Sequence, residues 1–414
     1  MNGEVPPGRA GALMDRGGAF GVAAVGGAVA FAALVAVCQV LAQAQHLLFG
    51  AFGVWSWAKI GLLTALLSLR ADVVGTVQGS PALRFAAGST TLRWRLVPMV
   101  LTIGFLWLAA RAGRRAARSS QGGGHPLIAS GLAAAGAAIP VVVLAAICSS
   151  LVTLVFPSLG LRLEVDVLSG ALWAGGLAAV GAGTGAYLEA TDGRAAAAVL
   201  RGGLTAYGGA IGLLVVGVFV LATLEPTVTR AYVDEVNGLG APGGALLSLH
   251  LLGLPAQSAL LLAPASGSCL EIVGDGPMFD LCPWRLAASG PAGDAFFPAP
   301  LALSPSFWLL SAVPAIAAML GGRRAVSEAS VGGRRALALG LAAGSVFALL
   351  VVIGVWFAAP VLTPIVVPVQ ISINPAWSST AITALIWGAG GGVFGAWLAA
   401  RRYAEPELPR PTSA

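Results

Sequence analysis

The sequence predicts an all-α polytopic membrane protein of about eight transmembrane helices, arranged as two parallel four-helix repeats with one interfacial or re-entrant outer helix per repeat. Three observations predict this. The 414 residues are 57% hydrophobic and only 10% charged, with a mean hydropathy of +0.87, whereas soluble domains carry about a quarter charged residues. Eight apolar runs qualify against the roughly 20 residues needed to cross a hydrocarbon layer about 30 Å thick. Short words also recur in one order. Arg16-Gly17-Gly18, Ala65 to Arg70, Gly113 to Ala116 and Gly185 to Leu188 return as Arg201-Gly202-Gly203, Ala245 to His250, Gly322 to Ala325 and Gly395 to Leu398. Their offsets are 185, 180, 209 and 210 residues, reconciled by one insertion of about 29 residues in the second copy of an internal duplication.

The runs cover 18–41, 96–111, 127–155, 167–188, 202–224, 303–321, 336–359 and 377–400, four in each half. They show no strand alternation, so they are read as helices. The first run follows Arg9 and Arg16 and precedes Ala42-Gln43-Ala44, the outline of a signal peptide. The charge-free stretch from Gly17 to Leu41 exceeds the roughly 7–15 apolar residues of such a peptide, so it is read as an uncleaved span. Segments 52–70 and 243–263 lie between spans that already alternate, and are read as the interfacial or re-entrant helices; counting both as crossings gives ten spans. Trp55, Trp57 and Lys59 suit the headgroup region, and Pro255 interrupts the second segment. Pro360, Pro364, Pro368 and Pro375 set an extended outer turn, with Asn374-Pro375 starting the last helix. The domain reading is a first repeat 1–195, a second repeat 196–402 with an inserted outer loop at about 265–295, and a tail 403–414.

Arginine placement gives orientation. Fifteen of the 23 Lys and Arg lie before the first span, after the last, or in alternate loops. Those segments are expected to face the cytoplasm of a multi-pass cell-membrane protein, with both termini inside. Arg111, Arg114, Arg115 and Arg118, then Arg323, Arg324, Arg334 and Arg335, are the clearest clusters. Lys59, Arg70, Arg84, Arg93 and Arg95 run against the rule in the first outer loop. The net charge of +6 follows from this placement, so the bilayer, and no nucleic acid, is the expected partner. An even number of spans per half orients both copies alike, about an axis along the membrane normal. Gly181 and Gly185, with Gly388, Gly391, Gly392 and Gly395, provide small residues for close helix approach, and place the fourth spans of the two copies at an interface, against each other. A phosphate-cradling glycine loop would require a strand-to-helix connection outside lipid.

Chemistry is sparse. The sequence has no Walker loop, nucleophile elbow, Cys-x-x-Cys or histidine pair at metal-ligand spacing, so the chain is not expected to be an enzyme or to hold a cofactor or metal. The spans contain no Asp, Glu, Lys or His in their interiors, which disfavours a proton relay. Cys38 and Cys148 are packing residues. Cys269 and Cys282 bracket the inserted loop and read as an outer-face disulfide; two thiolates with Glu271, Asp275 or Asp280 would be the metal alternative. Arg70 and His250, repeat mates by the word match, together with Lys59, are the candidate ligand-binding residues: they could line an outward vestibule between the copies and meet an anionic headgroup. Each also reads as a helix end reaching water.

The preference for Arg over Lys, the Ala/Gly richness and the eight-span outline resemble multi-pass membrane proteins of actinobacteria, the streptophobe group. That resemblance implies no activity and carries over no site. Two classes of function stay open: a non-catalytic envelope scaffold or accessory protein, docking an envelope partner at the outer loop, and a transporter or permease for an apolar, lipid-like or small solute in a cleft between the repeats.

Overall fold

The structure is a computed structural model that describes residues 9–49, 54–77, 90–95, 97–119, 125–156, 161–191, 195–224, 241–273, 277–281, 309–359, 361–364 and 371–401, with isolated positions between 226 and 234. The order of elements runs α1 (Arg9–Phe49), α2 (Val54–Ser68), β1 (Val73–Val77), β2 (Thr90–Arg95), α3 (Met99–Ser119), α4 (Pro126–Leu151), β3 (Thr153–Phe156), β4 (Leu161–Val165) and α5 (Val167–Ala190). It continues α6 (Ala195–Leu224), α7 (Ala241–Ala265), β5 (Leu270–Val273), β6 (Pro277–Leu281), α8 (Ala312–Ala329), α9 (Gly333–Ala358), β7 (Val361–Pro364), β8 (Ile371–Pro375) and α10 (Trp377–Ala400). Helix, helix, strand pair, helix, helix, strand pair, helix thus occurs twice.

The chain is a multi-pass helical membrane protein. Seven described helices are long and apolar enough to cross a membrane: Gly17–Gln45, Pro126–Leu151, Val167–Ala190, Ala195–Leu224, Leu309–Ala329, Gly333–Ala358 and Trp377–Ala400. Their outward faces carry large apolar side chains, among them Val25, Val40, Ile139, Val180, Val216 and Ile386, as a lipid solvent requires. The eighth expected span differs. The run 96–111 belongs to α3, whose exposed Arg111, Arg114, Arg115 and Arg118 leave only 12 uncharged residues from Met99 to Ala110. The apolar part of α2 within Trp57–Ser68 is too short to cross. By contrast, α7 continues through Pro255 and Pro264 rather than breaking at Pro255.

The chain divides into two compact units, 1–192 with 236–254 and 360–372, and 193–235 with 255–359 and 373–414. In the first, α5 packs on α3 and α4, and α1 on α3, α4 and α2; in the second, α10 packs on α8 and α9, and α6 on α8 and α9. The first core joins Phe31, Leu66, Leu69, Phe105, Val141 and Val165. A smaller core in the second holds Val326, Ala336, Ala396 and Ala399.

Strands are what the all-helical expectation missed, and all lie in connections assigned to the outer face. In the first unit the antiparallel order is β3-β4-β1-β2-β7, with Ile371 and Ser372 of β8 paired to β7. Val73 stands opposite both Trp94 and Val165, so β1 is central. One face is apolar and buried through Val73, Leu154, Leu163 and Val165, while Val155 is exposed on the other. On β4, Arg162 Nε donates to Glu164 Oε1 at 2.7 Å on the exposed face. Period-two alternation of this kind is how an antiparallel sheet meets water on one side. In the second unit β5 pairs with β6, Leu270 opposite Leu281. The prolines after residue 359 do set an extended path, as β7 and β8; Asn374-Pro375 closes β8, and α10 begins at Trp377.

Candidate interfacial site

Of the ionisable residues singled out in the first outer region, Arg70 lies where α2 ends against α5. Helix α2 closes by donation from Arg70 N to Leu67 O at 2.9 Å and from Ala71 N to Leu66 O at 3.0 Å, the two bonds of a Schellman turn. Arg70 therefore occupies the left-handed position, φ 66°, where glycine is usual and a Cβ costs about 1–2 kcal/mol. The guanidinium turns inward. Its Cζ lies 4.3 Å from the Trp173 ring centroid, and the residue is 2% exposed. Desolvated stacking of this kind contributes up to about 2 kcal/mol, enough to offset the backbone strain.

The main chain fixes this turn to the start of α5. Asp166 caps α5, its Oδ1 accepting from Leu168 N at 3.0 Å and Ser169 N at 3.2 Å. Asp166 N donates to Asp72 O at 2.9 Å, and Asp72 N donates to Ser169 Oγ at 3.1 Å. Towards the start of α2, Lys59 Nζ donates to Thr153 O at 2.9 Å, tying α2 to the first residue of β3. Trp57, expected among headgroups, is buried. The side chains of Trp55 and His250 lie outside the described residues.

The second unit builds the same joint with hydroxyls. Helix α7 ends with Gly267 N donating to Pro264 O and Ser268 N to Ala263 O, at 3.0 and 2.9 Å, and Gly267 holds the left-handed position at φ 94°. Ala376 N donates to Cys269 O at 2.9 Å, as Asp166 N does to Asp72 O. Ser268 Oγ lies 2.7 Å from Ser379 Oγ and 2.7 Å from Thr380 Oγ1, and Trp387 Nε1 donates to Ser266 O at 3.0 Å. By geometry the counterpart of Arg70 is Gly267, not His250, which lies 17 residues earlier, within α7. The buried charge thus exists in one joint and a neutral hydroxyl cluster in the other. Sequence reasoning missed Asp166, Ser169 and Trp173, and Ser268, Ser379 and Thr380. The run Ser378-Ser379-Thr380 and the Asp166 cap ahead of an apolar helix were the available signals.

Each glycine pair packs within its own unit. A Cβ at Gly185 would meet Ala110 O, and one at Gly181 would meet Ala109 Cβ, both on α3; Gly391 and Gly395 stand likewise against Ala315 O and Met319 O of α8, and Gly388 and Gly392 against Gly344 O and Gly340 O of α9. The expected partner, the other fourth span, is not what these glycines approach. At the opposite helix ends, Arg118 Nε donates to Glu189 Oε1 at 2.7 Å, which raises the Arg118 pKa above its ordinary value through that bond and the carboxylate charge. Arg324 and Arg201 share Glu328 at 2.9 and 3.5 Å. Such exposed pairs are worth little energetically and act as markers of the water boundary.

Among the described residues no group of three or more His, Cys, Asp or Glu is placed to hold a metal. Cys38 and Cys148 are free thiols within spans. Cys269 directly precedes the Leu270–Leu281 pair; Cys282 and the inserted loop to 308 lie outside the described residues, as does the tail from 402. No protein-family model, curated protein or solved structure matches this chain.

Proposed function

We propose that this chain is a non-catalytic envelope scaffold: a duplicated helical anchor in the cell membrane, termini in the cytoplasm, that holds a β layer on the outer face for an envelope protein to dock on. The observation that carries the reading is the joint between helix ends and strands. Main-chain bonds from Asp166 to Asp72 and from Ala376 to Cys269 fix strand to helix where a transport gate would need play, and Arg70 is sealed against Trp173 rather than open to solute. The Cys269–Cys282 disulfide belongs to this proposal; in the sequence the two cysteines flank Leu270 and Leu281, which stand opposite each other in the β5–β6 register. Alkylation mass spectrometry without reductant tests it: two unmodified cysteines support the bond, and four alkylated cysteines refute it.

The docking role is tested by photo-crosslinking in living cells, with a photoreactive residue at Val155 or Arg162 and at lipid-facing Val143 as control. The scaffold reading expects one discrete protein adduct from the two strand sites and none from Val143. It is rejected by lipid adducts alone at all three sites, combined with solute flux through reconstituted liposomes that Arg70→Ala abolishes.

A further inference from the structure

The second unit has a cleft of about 420 Å³ between α8 and α10. Ile316 and Met319 form one wall, and Ile386, Trp387, Gly390 and Phe394 the other. No side chain in that lining is charged. Ile316, Ile386 and Phe394 are 43%, 63% and 50% exposed, and both helices are long and apolar enough to cross a membrane. The cleft therefore opens towards hydrocarbon, and what enters it is a chain of the bilayer.

The residues beyond the cleft give it a polarity. From Phe394 a column leads out of it: Phe394 and Trp397 stack at 5.6 Å between centroids, and Arg401 Cζ lies 3.6 Å over Trp397. Exposed Arg323 stands one helical turn beyond Met319. Arg324 is paired with Glu328, whereas Arg323 and Arg401 meet no carboxylate among the described residues. The cleft thus leads along α8 towards Arg323 and along α10 towards Arg401. In the first unit, matched through Gly113 with Gly322 and Gly185 with Gly395, Trp107 stands where α8 has Ile316, and Val180 where α10 has Gly390. Both larger side chains are exposed. At four other lining positions the second unit carries the larger residue, Met319, Ile386, Trp387 and Phe394 against Ala110, Gly176, Leu177 and Thr184.

We infer that this cleft is a binding site for an anionic phospholipid of the surrounding membrane, its acyl chain between α8 and α10 and its phosphate at Arg323 and Arg401. The chemistry is that of an apolar, largely preformed pocket with few convergent polar groups and basic side chains at the headgroup level. The same requirements exclude a zwitterionic lipid as the preferred occupant, since choline adds a cation where two guanidiniums already stand.

Native mass spectrometry of the full chain, delipidated in mild detergent and titrated with phosphatidylglycerol or phosphatidylcholine of identical chains, tests the site. Phosphatidylglycerol adducts are expected in several-fold excess. Arg323→Gln with Arg401→Gln should remove that preference while leaving phosphatidylcholine adducts unchanged. Ile316→Trp with Gly390→Val, which installs the first unit's side chains, should lower adducts of both lipids by about tenfold; a Cβ at Gly390 meets nothing within 4 Å, and Ile316→Trp alone serves if the double variant fails to fold. Equal adducts of the two lipids on the unaltered chain would overturn the assignment. So would unchanged adducts after filling the cleft, or a dimer of the chain that disappears when the cleft is filled.

Discussion

At the residue scale, Arg70 is the most constrained position described. Its backbone sits where glycine is preferred, and its side chain is held by Trp173. Removing the side chain in two ways separates these terms. Arg70→Ala loses the stacking and keeps a Cβ in the left-handed region; Arg70→Gly loses the same stacking and relieves the backbone. Arg70→Gly is therefore expected to be more stable than Arg70→Ala by about 1 kcal/mol, read as a higher midpoint in thermal unfolding in detergent. Equal midpoints would mean that the turn relaxes when the guanidinium leaves. Gly267→Ala should destabilise by a similar amount, for it adds a Cβ at φ 94°. The sequence marked Arg70 as unusual because a charge beside an apolar segment stands out. It could not show that the charge faces inward, since that depends on Trp173, a hundred residues away, which reads as one more apolar residue of a span.

At the scale of elements, the helices were legible and the strands were not. A run of more than 20 apolar residues has one solution in a bilayer, and α4, α5, α6, α9 and α10 follow it. Strands of four to six residues leave too short a pattern to stand out in loops rich in Gly and Pro, although Leu161-Arg162-Leu163-Glu164-Val165 does alternate. Among the described helices seven rather than eight qualify as spans, because α3 carries its arginines inside the helix. Glycine seams between helices were foreseeable from composition, but their partners were not, because four-residue spacing says that a helix is approached and not by which neighbour. In lipid such seams act through van der Waals contact, so added volume is costly. Gly185→Ala and Gly395→Ala are each expected to cost about 1–3 kcal/mol, because the new methyl meets backbone oxygens of Ala110 and Met319. Gly176→Ala, with nothing within 4 Å, should leave the midpoint unchanged or slightly higher. Hydrogen exchange gives the matching test for strands. Amides of β1, paired on both sides to β2 and β4, should exchange more slowly than those of β3, paired only to β4 in the first unit; the reverse ranking would contradict this strand order.

For the whole molecule, the recurring words pointed to two copies but set the register wrongly in places. Ala, Leu and Gly are so abundant that Ala65 to Leu69 and Ala245 to Leu249 coincide in letters while occupying the end of α2 and the beginning of α7. Contacts give a firmer correspondence. Gly26 and Gly27 of α1 approach Ala112 and Ala137, as Gly202 and Gly203 of α6 approach Gly321 and Ala343. The matching partners of Gly202 and Gly203 are thus Gly26 and Gly27, rather than Gly17 and Gly18. With Gly26 set against Gly202 and Arg70 against Gly267, the offset between the two units grows from 176 to 197 residues, and it reaches 209 at Gly113 and Gly322.

The scaffold account requires every strand pair to lie on one side of the membrane and every arginine-bearing helix end on the other. Membrane-impermeant maleimide labelling in intact cells tests this directly, with single cysteines introduced at Val155 and Arg162 on the strands and at Ser119 and Ser327 near the arginines, each of them exposed. The account predicts labelling at Val155 and Arg162 in intact cells, and at Ser119 and Ser327 only after permeabilisation. Labelling of Ser119 or Ser327 from outside, or protection of both strand sites, would contradict it.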